Sequence, residues 1–397
     1  MQNHSLIEIR TGRDSQKNAD VMMELFSVIP SFHDEWYAGL LWPRETLSFE
    51  ISLDHQIISY YLYVPDRLIE YIKSTLGAHY PEATITPHPQ DDYLSYFHPQ
   101  ANPSFRTDNL FSLTQSLVLE NEQAFPLKDY REFSPETDSL APLLSHLSQG
   151  TQLEKAVIQL IVGHDDEHWK ARYENLINPS SSTDSSTNST QMSGLEKSLL
   201  ESKIHAKCLN VNLNVALVST DRDRAWLFFD GILDALNNLR KPESNALKRK
   251  IQALPLPNRH IQHMLDRRLV KSTSFHLSVF ELASIYHFPN QLLSTIPNLS
   301  WGKNLLGEPP ENLPIVRKEY DPAIKREINV FAQTTFKNET QKYGIRRVDR
   351  RRHMYVIGKT GTGKSTMLAN MAINDLRNGE GLCFIDPHGD AIDLLLN

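Results

Sequence analysis

Gly358, Gly363, Lys364 and Ser365 stand at the spacing GxxxxGKS, inside the run Gly358-Lys359-Thr360-Gly361-Thr362-Gly363-Lys364-Ser365-Thr366. Chemistry that grips phosphate needs these residue types in this order. Glycines let successive backbone N–H groups wrap around phosphate oxygens without side-chain clashes. A lysine at the end of the loop reaches the β- and γ-phosphates, and the following hydroxyl ligates Mg²⁺. The whole run from Gly358 to Thr366 is therefore read as the nucleotide-binding loop, with ATP and Mg²⁺ as its ligands. Lys364 is the candidate catalytic residue. Ser365 and Asp386 are the candidate metal residues, Asp386 holding Mg²⁺ through water.

Such a loop works only between a strand and a helix, because the helix N-terminus adds partial positive charge facing the same anion. Met354–Ile357 reads as the strand before it. Met367, Leu368, Met371 and Ala372 mark the buried face of the helix after it, and Asn378-Gly379 stops that helix. Leu382–Ile385 is a short, fully apolar run, as expected for a parallel strand covered on both faces. It puts Asp386 at a strand's carboxyl end, where ligands gather in doubly wound sheets. Ile328–Thr335 reads as a third strand. Between Lys337 and Arg352, seven Lys and Arg face one Glu and one Asp. Arg346–Arg352 is the candidate phosphate-contacting or DNA-binding patch; the competing reading is a solvated turn between strands.

Residues 1–90 read as β-α-β-β-α-β. Leu6–Arg10 is a strand, and Val21, Met22, Leu25, Val28 and Ile29 recur at helical spacing. Leu47–Leu53 alternates, Asp54-His55-Gln56 turns, and Ile57–Val64 returns. A helix from Pro65-Asp66 and a strand at Ala83–Thr86 close the unit. This is the order of a ferredoxin-like sandwich. Residues 91–288 are expected to form a second α+β domain that repeats that order. Its strands are Ser116–Glu120, Ala156–Val162 and Asn210–Ser219, with helices at Leu140–Leu147 and Ala225–Leu239. Residues 179–194, rich in Ser, Thr and Asn, read as a disordered insertion. His260, His263 and Asp266 follow one another at i, i+3 on an expected helix over 255–270. Each such step drifts roughly 60° round the axis, and Arg259, Arg267 and Arg268 repel a cation, so a solvated helix face is expected there. Prolines at 289, 297, 309, 310, 314 and 322 mark an extended connector over 289–327. An incomplete P-loop domain with a parallel sheet is expected over 328–397.

The chain of 397 residues carries a net charge of −7, so any DNA contact must be local. Its two cysteines, Cys208 and Cys383, match no metal or redox spacing and fit a reducing compartment. No run of 18 apolar residues occurs, so no membrane span is expected. Nor does Met1-Gln2-Asn3-His4 open a secretory signal. A cytoplasmic location follows, with membrane contact only through partners.

The stretch from Phe331 to Leu396 resembles the motor ATPases of the HerA–FtsK superfamily, most of all those of type IV secretion and conjugation systems. The resemblance is carried by Tyr343-Gly344-Ile345-Arg346-Arg347, Asp349-Arg350-Arg351-Arg352-His353, the loop itself, Gly379-Glu380-Gly381, and Phe384-Ile385-Asp386-Pro387-His388-Gly389-Asp390. Upstream, Ser48-Phe49-Glu50-Ile51, Tyr80-Pro81-Glu82-Ala83 and Glu281–Pro289 are similar to the region that precedes such motors. The resemblance implies a hexameric ring that couples ATP hydrolysis to movement of DNA or protein at a membrane, alongside membrane proteins of a secretion system. It also implies that the second acidic motif, sensor residues and arginine finger lie beyond Asn397, so that this chain alone hydrolyses ATP negligibly. Its motor part is expected to expose apolar surface. A non-hydrolysing nucleotide-binding or assembly module is the alternative. A P-loop kinase or GTPase is disfavoured, because no base-recognition motif or lid is visible.

Overall fold

The computed structural model describes residues 4–29, 46–88, 94, 97, 110–165, 167–177, 193–250, 257–302, 310, 312–316, 322–334, 340–359, 361–386, 392 and 395. The insertion expected to be disordered, 179–194, lies outside the described residues up to 192, as does Thr360. The chain divides into two compact units, Met1–Asn304 and Leu305–Asn397. The two α+β domains expected upstream form one unit. It runs past the expected boundary at 288: Leu293 and Leu299 belong to its core.

The first unit opens with β1 (His4–Arg10), α1 (Asp20–Val28), β2 (Leu47–Asp54), β3 (Ile57–Pro65), α2 (Ile69–His79) and β4 (Thr84–Pro87). The same order follows in β5 (Phe111–Leu119), α3 (Ala141–Leu147), β6 (Lys155–Gly163), β7 (Cys208–Ser219), α6 (Arg222–Leu236) and β8 (Leu247–Arg249). Helices α4 (His168–Ile177) and α5 (Gly194–Ile204) are inserted between β6 and β7. After β8 come α7 (Pro257–Leu265), β9 (Phe275–Ser278) and α8 (Val279–Ile285). The strands make one nine-stranded sheet in the order β4-β1-β3-β2-β6-β7-β5-β8, with β9 on β7. The second half repeats the spatial order of the first read backwards. The halves meet at an antiparallel ladder from Leu47↔Val162 to Leu53↔Ala156.

Strict alternation explains the two faces of this sheet. Leu47, Phe49, Ile51 and Leu53 point to one side with Ile158, Leu160, Leu213 and Val215, and α1, α2, α3, α6 and α8 supply the rest of that core. The residues between them put a buried polar row on the other side. Glu50, Gln159, Asn214 and Ser116 are paired in register across β2, β6, β7 and β5. Ser116 Oγ donates to Asn214 Oδ1 (2.7 Å), Asn214 Nδ2 to Gln159 Oε1 (3.2 Å), and Gln159 Nε2 to Glu50 Oε1 (2.9 Å). Arg267 ends the row, its Nε 2.8 Å from Glu50 Oε1, with side chains 2% and 0% exposed. Its guanidinium also lies 4.3 Å from the centre of the Tyr63 ring. The solvated face expected around α7 is thus corrected at Arg267. A buried carboxylate on β2 is unfavourable without a partner, and Arg267 supplies it from a left-handed backbone (φ +51°).

Two further buried pairs tie the outer elements down. Lys203 on α5 meets Glu281 on α8 at 3.0 Å. His287 Nδ1 donates to the Ala283 carbonyl (2.8 Å) and Nε2 to both oxygens of Asp138 (3.0 Å). With acceptors on both nitrogens, the ring is held as imidazolium. Burial alone would push Asp138 up, but His287, the Leu140 amide and Asn290 hold it below the usual carboxylate range. Burial likewise opposes the charge on His287, yet Asp138 and the Ala283 carbonyl raise its pKa.

The second unit contains β10 (Ile315–Val316), α9 (Pro322–Arg326), β11 (Ile328–Thr334), β12 (Gln341–Arg346) and α10 (Lys364–Arg377). Its sheet has the order β10-β12-β11 and is antiparallel throughout. This corrects the expected parallel sheet. Ile328–Thr334 is a strand, but it pairs antiparallel with β12. Met354–Ile357 and Leu382–Ile385 belong to no strand. An extended segment becomes a strand only with a ladder partner, and among the described residues neither run has one. Gly344 on β12 sits where a Cβ would collide with the Asn329 carbonyl beside a bulge in β11.

Candidate phosphate-binding site

Residues 347–357 link the end of β12 to the loop. A 3-10 turn over Asp349–Arg351 leads into residues 353–359, which belong to no helix or strand, and α10 starts at Lys364. Gly361 and Gly363 adopt φ +81° and +89°, and a Cβ at either would meet nothing within 4 Å. Glycine is required there by backbone conformation rather than by space. At Gly358 the reason is space, since a Cβ would come within 2.5 Å of Thr362 Oγ1. Thr362 closes the turn, donating from its N–H (3.3 Å) and its hydroxyl (2.7 Å) to the Lys359 carbonyl. Lys364 Nζ folds back over the loop and donates to the carbonyls of Gly358 (2.7 Å) and Lys359 (2.8 Å).

This arrangement gathers Gly358, Lys359, Thr362 and Lys364 around one curl of backbone. The first N–H groups of α10 have no acceptor within the helix, and they open beside the exposed Ser365 and Thr366. A lysine ammonium, free amides and a hydroxyl at one helix N-terminus form a donor set that fits a polyphosphate and its Mg²⁺. Asp386 ends the segment whose residues Leu382–Ile385 line a cleft of about 480 Å³ with Met354, Leu368, Met371 and Ala372. It is half-buried.

The basic stretch divides into two kinds of arginine. Arg350 is committed inside the unit: Nη2 lies 2.7 Å from Asp375 Oδ2, and Nη1 binds Oδ1 of the same carboxylate. Arg347 pairs with Glu380 at 2.8 Å. Arg346, Arg351 and Arg352 are exposed. Asn329 adds to the Asp375 cluster, donating from Nδ2 to Asp375 Oδ1 (2.6 Å) and to the Met371 carbonyl (2.9 Å). Sequence reasoning missed Asp375. The signal was its phase: with Leu368, Met371 and Ala372 it falls at i, i+3, i+4, i+7, so an acid stands on the buried face of α10.

Among the described residues, no group of three or more His, Cys, Asp or Glu could hold a metal ion, and no helix is long and apolar enough to cross a membrane. A family model described as a domain of unknown function (DUF8128) matches residues 1–301, and the chain belongs to that family. No curated protein matches it.

Proposed function

We propose that this DUF8128 member binds Mg-ATP at Gly358–Thr366. We further propose that it serves as the ATP-binding component of a translocase resembling the HerA–FtsK motors of type IV secretion and conjugation. The observation that carries the reading is the loop itself, with two left-handed glycines, a spatially required Gly358, and Lys364 at the first turn of α10. On nucleotide binding, Lys364 exchanges the carbonyls of Gly358 and Lys359 for β- and γ-phosphate oxygens. Ser365 offers its hydroxyl to Mg²⁺, and Asp386 supports the metal through water. Arg346, Arg351 and Arg352 are left to meet DNA phosphates, since Arg347 and Arg350 have partners within the unit. A ring of six copies, working beside membrane proteins of a secretion apparatus, follows from the resemblance.

Titration calorimetry of the full chain with Mg-ATP tests this. Binding should be measurable and should vanish in Lys364→Ala; equal binding in both proteins would remove Lys364 from the site. A second reading, a non-hydrolysing nucleotide-binding module, is favoured by the family match, which covers the first unit and stops short of the loop. Steady-state phosphate release separates the two, because a module binds Mg-ATP without turning it over.

A further inference from the structure

Arg350 and Asp375 lie 25 positions apart, and everything between them is the phosphate loop with its two supports. From Arg350 the chain runs through residues 353–357, which belong to no helix or strand, into Gly358. From Lys364 it runs along a helix of 14 residues, roughly 21 Å at 1.5 Å per residue, that carries Asp375 near its far end. The two-pronged Arg350–Asp375 pair therefore closes residues 350–375 into a ring, with the loop on the side opposite the pair. Asn329 fastens the same carboxylate to β11. Asp375 is nearly buried, where a planar two-bond ion pair is stiff and directional. Phosphate binding needs the entry of the loop at Gly358 and its exit at Lys364 held at a fixed separation. The covalent chain alone does not fix it, because residues 353–357 belong to no ladder.

We propose that Asp375 is a positioning residue for the phosphate loop. It sets the loop's geometry through Arg350 and at the same time withholds that arginine from polyanions. The proposal rests on the reading of Gly358–Thr366 as a nucleotide site. It makes two predictions of opposite sign for one substitution. Asp375→Asn frees a guanidinium and loosens the ring, so it weakens nucleotide binding while it strengthens binding to duplex DNA. A residue that merely stabilised the unit would weaken both.

The test uses the full chain with Asp375→Asn and Arg350→Lys, the latter keeping the charge but losing the fork. In the nucleotide-free protein, amide exchange at Thr362 and Met367, the hydrogen-bonded amides of the loop and the start of α10, should accelerate in both variants while β11 and β12 stay protected. Mg-ATP affinity should fall about tenfold in both. For Asp375→Asn, affinity for a random-sequence duplex should rise, and its salt dependence should steepen by about 0.9 in log–log slope, one more phosphate contact. Unchanged loop exchange with unchanged Mg-ATP affinity overturns the proposal. So does exchange that accelerates equally in the loop and the hairpin. If the wild-type chain binds no Mg-ATP but Asp375→Asn still loosens the loop selectively, the positioning role stands and the nucleotide reading falls.

Discussion

The two units treat charge and apolar surface in opposite ways. In the first, Glu50, Arg267, Lys203, Glu281, Asp138 and His287 are all buried, and each is matched by an opposite charge within about hydrogen-bonding reach. In the second, Tyr355, Ile357 and Ile385 are 87%, 82% and 86% exposed. A larger unit buries a greater share of its surface, and a nine-stranded sheet covered by helices can enclose even ion pairs. Among the described residues of the second unit, a three-stranded sheet and one long helix leave the segments on either side of the loop exposed. The comparison teaches where rigidity sits. The first unit is tied by pairs distant in sequence. The second is tied at Asp375, and apolar residues on either side of its loop remain exposed.

The largest effect should come from breaking the buried polar row. Arg267→Ala leaves Glu50 enclosed and unpaired, and should cost the first unit about 3–5 kcal/mol. All five tryptophans lie at positions 36, 42, 169, 226 and 301, so denaturant titration followed by tryptophan fluorescence reports on that unit alone. Replacing both partners together, Glu50→Leu with Arg267→Met, should recover much of the loss, because no charge is then stranded. Equal damage in the single and double variants would show that Arg267 acts by packing on Tyr63 rather than by charge.

A smaller effect should appear with pH. The folded chain holds the His287 proton more tightly than the unfolded chain does. Its contribution is therefore complete below about pH 6.5 and is lost as pH rises through the raised folded value. Asp138 behaves oppositely, with its pKa lowered on folding. Its contribution is complete above about pH 4 and is lost as pH falls through the lowered folded value. The pair is thus strongest between these limits. Thermal unfolding across pH should lose part of its alkaline decline in His287→Gln. An identical decline in both proteins would assign it to other groups.

The smallest expected effect on stability comes from the exposed residues of the second unit. Tyr355→Ser with Ile357→Ser should change unfolding free energy by no more than about 0.5 kcal/mol per site. Light scattering should nevertheless show less self-association, since the pair removes exposed apolar surface. A large loss of stability would mean that these side chains are covered in solution.

The sequence made the alternation of β2 and β7, the strand at β6, the helical spacing of α1 and α6, and the loop from Gly358 to Thr366 legible. Each is a local signal, set by residues within a few positions and by backbone conformations that only glycine adopts easily. It also showed the β-α-β-β-α-β order and its second occurrence. Pairing was hidden. Nothing near Arg267 indicates a carboxylate 217 positions away, so a position expected on a solvated helix face is instead a buried cation in the turn after α7. Nothing near Arg350 separates it from its exposed neighbours Arg351 and Arg352, although Asp375 on the buried face of α10 gave a partial hint. Four apolar residues at Met354–Ile357 have the composition of a strand, but a strand exists only where another backbone accepts its hydrogen bonds. The chain's own residues thus determined which segments favour strand or helix and where glycine lets the backbone curl. The tertiary structure decided which extended segments pair, in which direction, and which charges leave water, because those outcomes depend on groups that only folding brings within a few ångströms of each other.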